Sequence, residues 1–328
     1  MLRSILKAGL LLVTFAAFAQ GTSEFEEPRK PADKDIVLAI YASLDSNNLR
    51  EIIASTGQTK TYPGRDDVFK VTVKAVEYKQ DDWSAKGAVL ALEDTITNPG
   101  GWDKLSIQVS DIGGHTKFTG LAEKGIAVSQ QTILIGSLEQ ALVLTKAGIE
   151  KGLTSMSASA KVGTRMKDAV LNVSLGGTKV SDDNMMAQGK ASVQWNPTRE
   201  TEVVVRYDGY TDSRPTPDYY SPEYFNKIIA AASAAAPFLN GWRAIGTVAA
   251  GWEVAKNAVF DPSGAVIGTE VASKPAYLAE LSITSPKTTV SKKLNPITIS
   301  FNAGYSYDGA REGGYKKTYA MLQVSIPI

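Results

Sequence analysis

From Ala187 to Tyr207 the chain alternates apolar and polar residues with a period of two, broken once by a short turn. Ala187, Gly189, Ala191, Val193 and Trp195 share one face, with Gln188, Lys190, Ser192 and Gln194 on the other. After Asn196-Pro197-Thr198-Arg199-Glu200, Val203, Val205 and Tyr207 resume the apolar face opposite Glu202 and Arg206. Successive side chains of a strand point to opposite sides, so this stretch predicts a hairpin with one apolar and one wetted face. The same dyad returns at Phe69 to Ala75, Leu105 to Val109, Met156 to Val162, Ala169 to Leu175, Ile297 to Tyr307 and Leu322 to Ile328.

Less regular apolar segments at Ser84 to Leu92, Thr116 to Glu123, Ile126 to Ile135 and Gln140 to Ile149 have the length of further strands. Asp35 to Ser55 reads in two ways: Ser46-Asn47-Asn48 is either a turn between strands or the start of a helix through Leu49 to Ala54. Tyr224 to Ala236 is also open, because its alanines suit a short helix as well as a strand.

Connection lengths constrain the arrangement, since membrane barrels carry short turns on one side and longer loops on the other. If Thr201 to Tyr210 runs outward, the short links Thr164 to Asp168 and Asn196 to Glu200 fall on the periplasmic side, and Thr178 to Met186 and Thr211 to Pro222 fall outside. Glu223 to Ser233 then returns, Ala234 to Gly241 turns, Trp242 to Ala255 leaves, Lys256 to Pro275 is an external loop and Ala276 to Thr284 comes back. Pro296 to Tyr307 and Lys316 to Ile328 close the count. The expected fold is all-β, a transmembrane antiparallel β-barrel of about 16 strands, within a range of 14 to 18. A soluble periplasmic sandwich or a solenoid of strands is the competing fold. Trp83, Trp102, Trp195, Trp242, Tyr207, Tyr210, Tyr219, Tyr220, Tyr305, Tyr307 and Tyr315 fall mainly near expected strand ends, as interfacial girdles would.

The amino terminus sets the compartment. Arg3 and Lys7, the apolar run Ala8 to Phe15 and the small-x-small Ala17-Phe18-Ala19 have the layout of a secretory signal peptide, which we expect over residues 1–20. Residues 21–34, rich in Glu and Pro, read as a polar lead-in, and residues 35–328 as the barrel. No later run is long and apolar enough for a spanning helix. With 35 basic and 34 acidic residues the net charge is +1, so no global field draws nucleic acid. Cysteine is absent, which leaves no disulfide and no thiol chemistry. A hydrophobic content of 43% is what an apolar exterior and a polar lumen average to.

Catalytic chemistry finds little support. His115 is the sole histidine, zinc would need more His or Cys ligands, and no Gly-x-Ser-x-Gly elbow is present. Asn98-Pro99-Gly100-Gly101 and Glu312-Gly313-Gly314 are turn chemistry. The adjacent pairs Asp66-Asp67, Asp81-Asp82 and Asp182-Asp183 read as solvated loop residues, so neither metal nor cofactor is expected.

Tyr207-Asp208-Gly209-Tyr210, followed by Asp218-Tyr219-Tyr220-Ser221-Pro222-Glu223-Tyr224-Phe225, resembles the C-terminal barrels of outer-membrane exopolysaccharide exporters, the cellulose-export subunit among them. Gly251-Trp252 and Gly304-Tyr305 are similar to later strands of those barrels. The resemblance covers Ala187 to Ile328 and departs from the family in two respects. No helical repeat precedes the barrel, and the last residue is Ile328 where many barrels end on an aromatic. It implies an outer-membrane channel for polar solutes, with exit of a polysaccharide as a specific task, and no enzymatic activity. The wetted faces supply a wall of Lys70, Thr72, Lys74, Gln188, Lys190, Ser192, Gln194, Glu202, Arg206, Asp208, Asn302 and Ser306. Asp208, Tyr210, Asp212, Arg214, Tyr219 and Tyr220 would line or gate the outer mouth. The expected partners are outer-membrane lipid, a polar solute or polysaccharide, and the barrel-assembly machinery. A non-conducting structural or adhesive barrel acting through Thr211 to Pro222 and Lys256 to Pro275 is the alternative.

Overall fold

The computed structural model describes residues 34–61, 67–98, 100–287, 297–311 and 314–327. The expected signal peptide, most of the lead-in, Asp66, Pro99, Pro296, Glu312-Gly313 and Ile328 lie outside the described residues. The strands are β1 (Lys34–Asp45), β2 (Arg50–Thr61), β3 (Asp67–Gln80), β4 (Trp83–Asn98), β5 (Gly101–Ile112), β6 (His115–Ala127), β7 (Thr132–Leu142) and β8 (Thr154–Arg165). They continue as β9 (Ala169–Val180), β10 (Met185–Trp195), β11 (Thr201–Asp212), β12 (Tyr224–Phe238), β13 (Trp242–Phe260), β14 (Val266–Thr284), β15 (Thr298–Asp308) and β16 (Tyr315–Pro327). A single short helix, α1 (Lys146–Lys151), interrupts the series among the described residues.

Each strand pairs antiparallel with its sequence neighbours, and β1 closes on β16 with Asp35 opposite Pro327. The sheet is therefore a closed barrel of 16 strands. Closure removes the unpaired edges that an open sheet would present. Tight turns follow from local residues: Gly113-Gly114 take positive φ of 62° and 81° between β5 and β6, a backbone that costs glycine nothing.

The dyad sets the two faces. Leu38, Ile40, Leu90, Leu105, Ile107, Leu138, Val173, Leu175, Val193, Val205, Leu281 and Leu322 stand exposed on the outside and form a continuous apolar belt. A large exposed apolar area on a protein surface marks a region covered by something other than water. Trp195, Tyr207, Trp252, Tyr277 and Tyr305 are exposed on the same side. The aromatic set expected as girdles thus divides. Tyr210, Tyr219, Tyr220 and Tyr315 face or fill the interior, and Trp102 lies on Gly125.

Three readings need correction. Lys256 to Pro275 is not a loop: β13 and β14 run on through it and turn only at residues 261–265, where Asp261 accepts from the amides of Ser263 and Ala265. Ile126 to Ile135 spans the turn between β6 and β7 instead of forming one strand. Gln140 to Ile149 holds the end of β7 and most of α1. The two open stretches also resolve. Ser46-Asn47-Asn48 is a turn, with Asn48 at φ 60°, and Tyr224 to Ala236 is strand. In the second case cross-strand pairing on both sides overrides the helical leaning of alanine.

Candidate functional site: the lumen and its plugged end

Both described chain ends lie at one end of the barrel, because β1 starts opposite the end of β16. The opposite end carries residues 143–153, 213–223 and 309–314 as its longest links. The described parts of all three fold inward.

In the first link, α1 begins at Thr145, whose hydroxyl oxygen accepts from the amide of Gly148 at 2.9 Å, satisfying a free donor of the first turn. It ends at Gly152, left-handed at φ 60°. His115 Nε2 donates to the Glu150 carbonyl at 2.9 Å, which ties the helix to the β5–β6 turn; the sole histidine does structural work here. Ile149 packs among Leu49, Val76, Tyr78, Ala85, Val89, Ile112 and Tyr315.

The second link carries the two adjacent tyrosines, each 2% exposed. Tyr219 sits with Val143, Leu153 and Val180, and its hydroxyl donates to Asp182 at 3.0 Å. Tyr220 packs with Phe225, Ala255, Ala272 and Ala310 beside Tyr210, which stacks on Phe225 at 4.9 Å. Burial raises both phenols well above their ordinary value, so they stay neutral. The two links are joined where the Thr145 hydroxyl donates to the Asp218 carbonyl at 2.9 Å and Lys151 pairs with the Asp218 carboxylate.

The third link inserts Arg311, 1% exposed, between the rings of Tyr220 and Tyr315 at 4.5 and 4.6 Å. Burial is the largest influence and disfavours its charge, but Asp308 and the surrounding tyrosine oxygens together outweigh it and hold the guanidinium protonated. Beneath it, Lys227 bridges Glu253 at 2.9 Å and Asp308 at 2.7 Å, all three buried. The Ala310 amide donates to Glu253 at 3.2 Å, which locks this link to the wall. Three links, two tyrosines and one arginine therefore fill the loop end.

Among the residues expected at the wall and mouth, Lys190, Arg206 and Asp208 gather on one side. Along the hydrogen-bonding direction Lys161, Ser174, Lys190, Asp208, Lys227 and Glu253 form one unbroken row across β8 to β13. Opposite charges set next to each other in such a row attract across the strands. Arg206 also donates to Asp208 at 2.5 Å. Gln194 donates to Glu202 at 2.8 Å, nearer the end that carries the chain termini. Tyr210, Tyr219 and Tyr220 meet in or beside the plug. Asp212 accepts from the side chain of buried Asn184 at 3.3 Å, and Asn184 in turn accepts from the Arg214 amide at 3.0 Å, while Arg214 itself is exposed. Sequence reasoning missed Asn184, Arg311, α1 and the Lys227–Glu253–Asp308 cluster.

Below the plug a cavity of about 750 Å³ runs along the wall made by β1 to β5 and β14 to β16. Lys70, Thr72, Lys74, Asn302 and Ser306 line it, together with Tyr41, Gln108, Lys317, Tyr319 and Gln323.

No protein-family model matches the chain, and no curated protein matches it. Among solved structures, a bacterial polysaccharide outer membrane secretin superposes with a TM-score of 0.69 at 12% identity, over 90% of this chain and 99% of that one. CdiB from Acinetobacter baumannii superposes with a TM-score of 0.52 at 10% identity, over 89% of this chain and 60% of that one. The fold is that of outer-membrane barrels, and the resemblance to an export-porin barrel holds at the level of fold.

Proposed function

We propose that the protein is an outer-membrane channel for polar solutes, with exit of a secreted polysaccharide as its specific task. The observation that carries this reading is the pairing of a closed apolar exterior with a lumen wall of hydroxyls, amides and lysines around an internal cavity. Hydrocarbon can cover the outer row only if no backbone edge is left unpaired, which closure achieves. Inside, side chains that exchange hydrogen bonds with a passing solute substitute for its hydration shell. The secretin likeness supports a carbohydrate as cargo, since that protein is named for polysaccharide.

The alternative, a barrel that does not conduct, draws on the plug, because three links close one end. Solute flux separates the two. Proteoliposomes should swell in isotonic solutions of small sugars once residues 215–221 are replaced by a short Gly-Ser segment, and more slowly with the intact chain. Impermeability of both, in protein that keeps its folded gel mobility, would establish the non-conducting barrel.

A further inference from the structure

The cavity under the plug carries a charge imbalance. On the row from Lys161 to Glu253, cations and carboxylates face each other, and Lys227 is shared by two acids. The cavity lining instead holds Lys70, Lys74 and Lys317 against one carboxylate, Glu93. Glu93 is already paired with Lys104 at 3.0 Å, and Lys317 lies 3.7 Å from Glu51. Among the described residues, Lys70 and Lys74 enter no ion pair within 4.0 Å. They lie four residues apart on the inward face of β3, about 13 Å along the strand, so an extended chain threading the barrel meets one after the other.

Beside them stands a ring surface. Tyr41 and Tyr319 stack with centroids 6.1 Å apart. Tyr319 lies flat because Gly304 has no side chain beneath it: a Cβ there would stand 2.5 Å from the ring. Its hydroxyl is turned away to Glu280. Both rings line the cavity, where the apolar face of a sugar ring can rest against them. Gln108, Asn302 and Gln323 add amide donors and acceptors. Lysine suits a moving ligand, being a point charge on a flexible stem that grips without fixed geometry.

From this juxtaposition of unpaired lysines and a tyrosine platform, we infer that the cavity binds an acidic glycan, a sugar chain carrying carboxylates. The inference rests on the channel reading for its biological purpose, but binding is measurable whether or not the barrel conducts. Isothermal titration of the detergent-solubilised full chain should show oligogalacturonate binding more tightly than a malto-oligosaccharide or a chito-oligosaccharide of equal length. Lys70→Gln and Lys74→Gln should each weaken it about ten-fold, the equivalent of one charge-assisted hydrogen bond. Lys70→Arg with Lys74→Arg should retain binding, and Tyr319→Ala should weaken it for sugar acids while leaving linear polyphosphate unaffected. Equal affinity for the neutral oligomer, or unchanged affinity in the folded double Gln variant, would overturn the inference. Tighter binding of polyphosphate than of oligogalacturonate would overturn its saccharide part. A chain that binds oligogalacturonate yet passes no solute would refute the channel reading alone.

Discussion

Lys227 shows how much one side chain holds at the loop end. It is shared by Glu253 and Asp308, which are respectively fully buried and 2% exposed. Removing one partner of a buried cluster leaves uncompensated charge, so Lys227→Met should cost about 3–5 kcal/mol, read as a lower urea midpoint for unfolding in detergent. Leu175, near the middle of β9 and 69% exposed, tests the outer belt in the same assay. Leu175→Arg should destabilise by about 2–4 kcal/mol if hydrocarbon covers that position, and by almost nothing if water does. Individual positions were legible from sequence wherever the dyad was strict. The inward parity of Lys190, Gln194 and Arg206 follows from their neighbours Val193, Trp195 and Val205 facing out. Arg311 was not legible, because what buries it are rings 91 residues earlier and four residues later, brought together only by closure.

At the scale of elements, strand pairing and link folding obey different rules. Strands announce themselves through periodicity because one face meets an apolar medium and the other a wet one. Along the far parts of β13 and β14 the buried positions are small or polar, Asn257, Ala258 and Ala272, and Val266, Ile267 and Val271 are exposed among Thr269, Glu270 and Lys274; the alternation is weak and Lys256 to Pro275 therefore reads as a loop. Link 143–153 fails for the opposite reason: Leu142, Leu144 and Ile149 are apolar because they plug the interior, and they prolong the apolar run of β7. The plug depends on α1 docking against residues 213–223. Thr145 serves both, capping the helix and donating to Asp218. Thr145→Ala should cost about 1 kcal/mol locally, seen as faster amide exchange in residues 146–152 while the strands stay protected.

The whole molecule joins a closed sheet, an apolar belt and a polar interior that is open along one wall and filled at one end. Closure and strand number were accessible from the spacing of dyads and links, since each return of the chain needs a strand. The plug was not, because it arises from contacts among three links far apart in sequence. If the plug is what limits flow, conductance should respond to it and not to the belt. The most direct test is single-channel recording in planar bilayers with the intact chain and with the chain whose residues 215–221 are replaced by Gly-Ser. The account predicts discrete steps in both, larger and longer-lived in the shortened chain. Silence from both proteins, each showing the heat-modifiable mobility of a folded barrel, would contradict it.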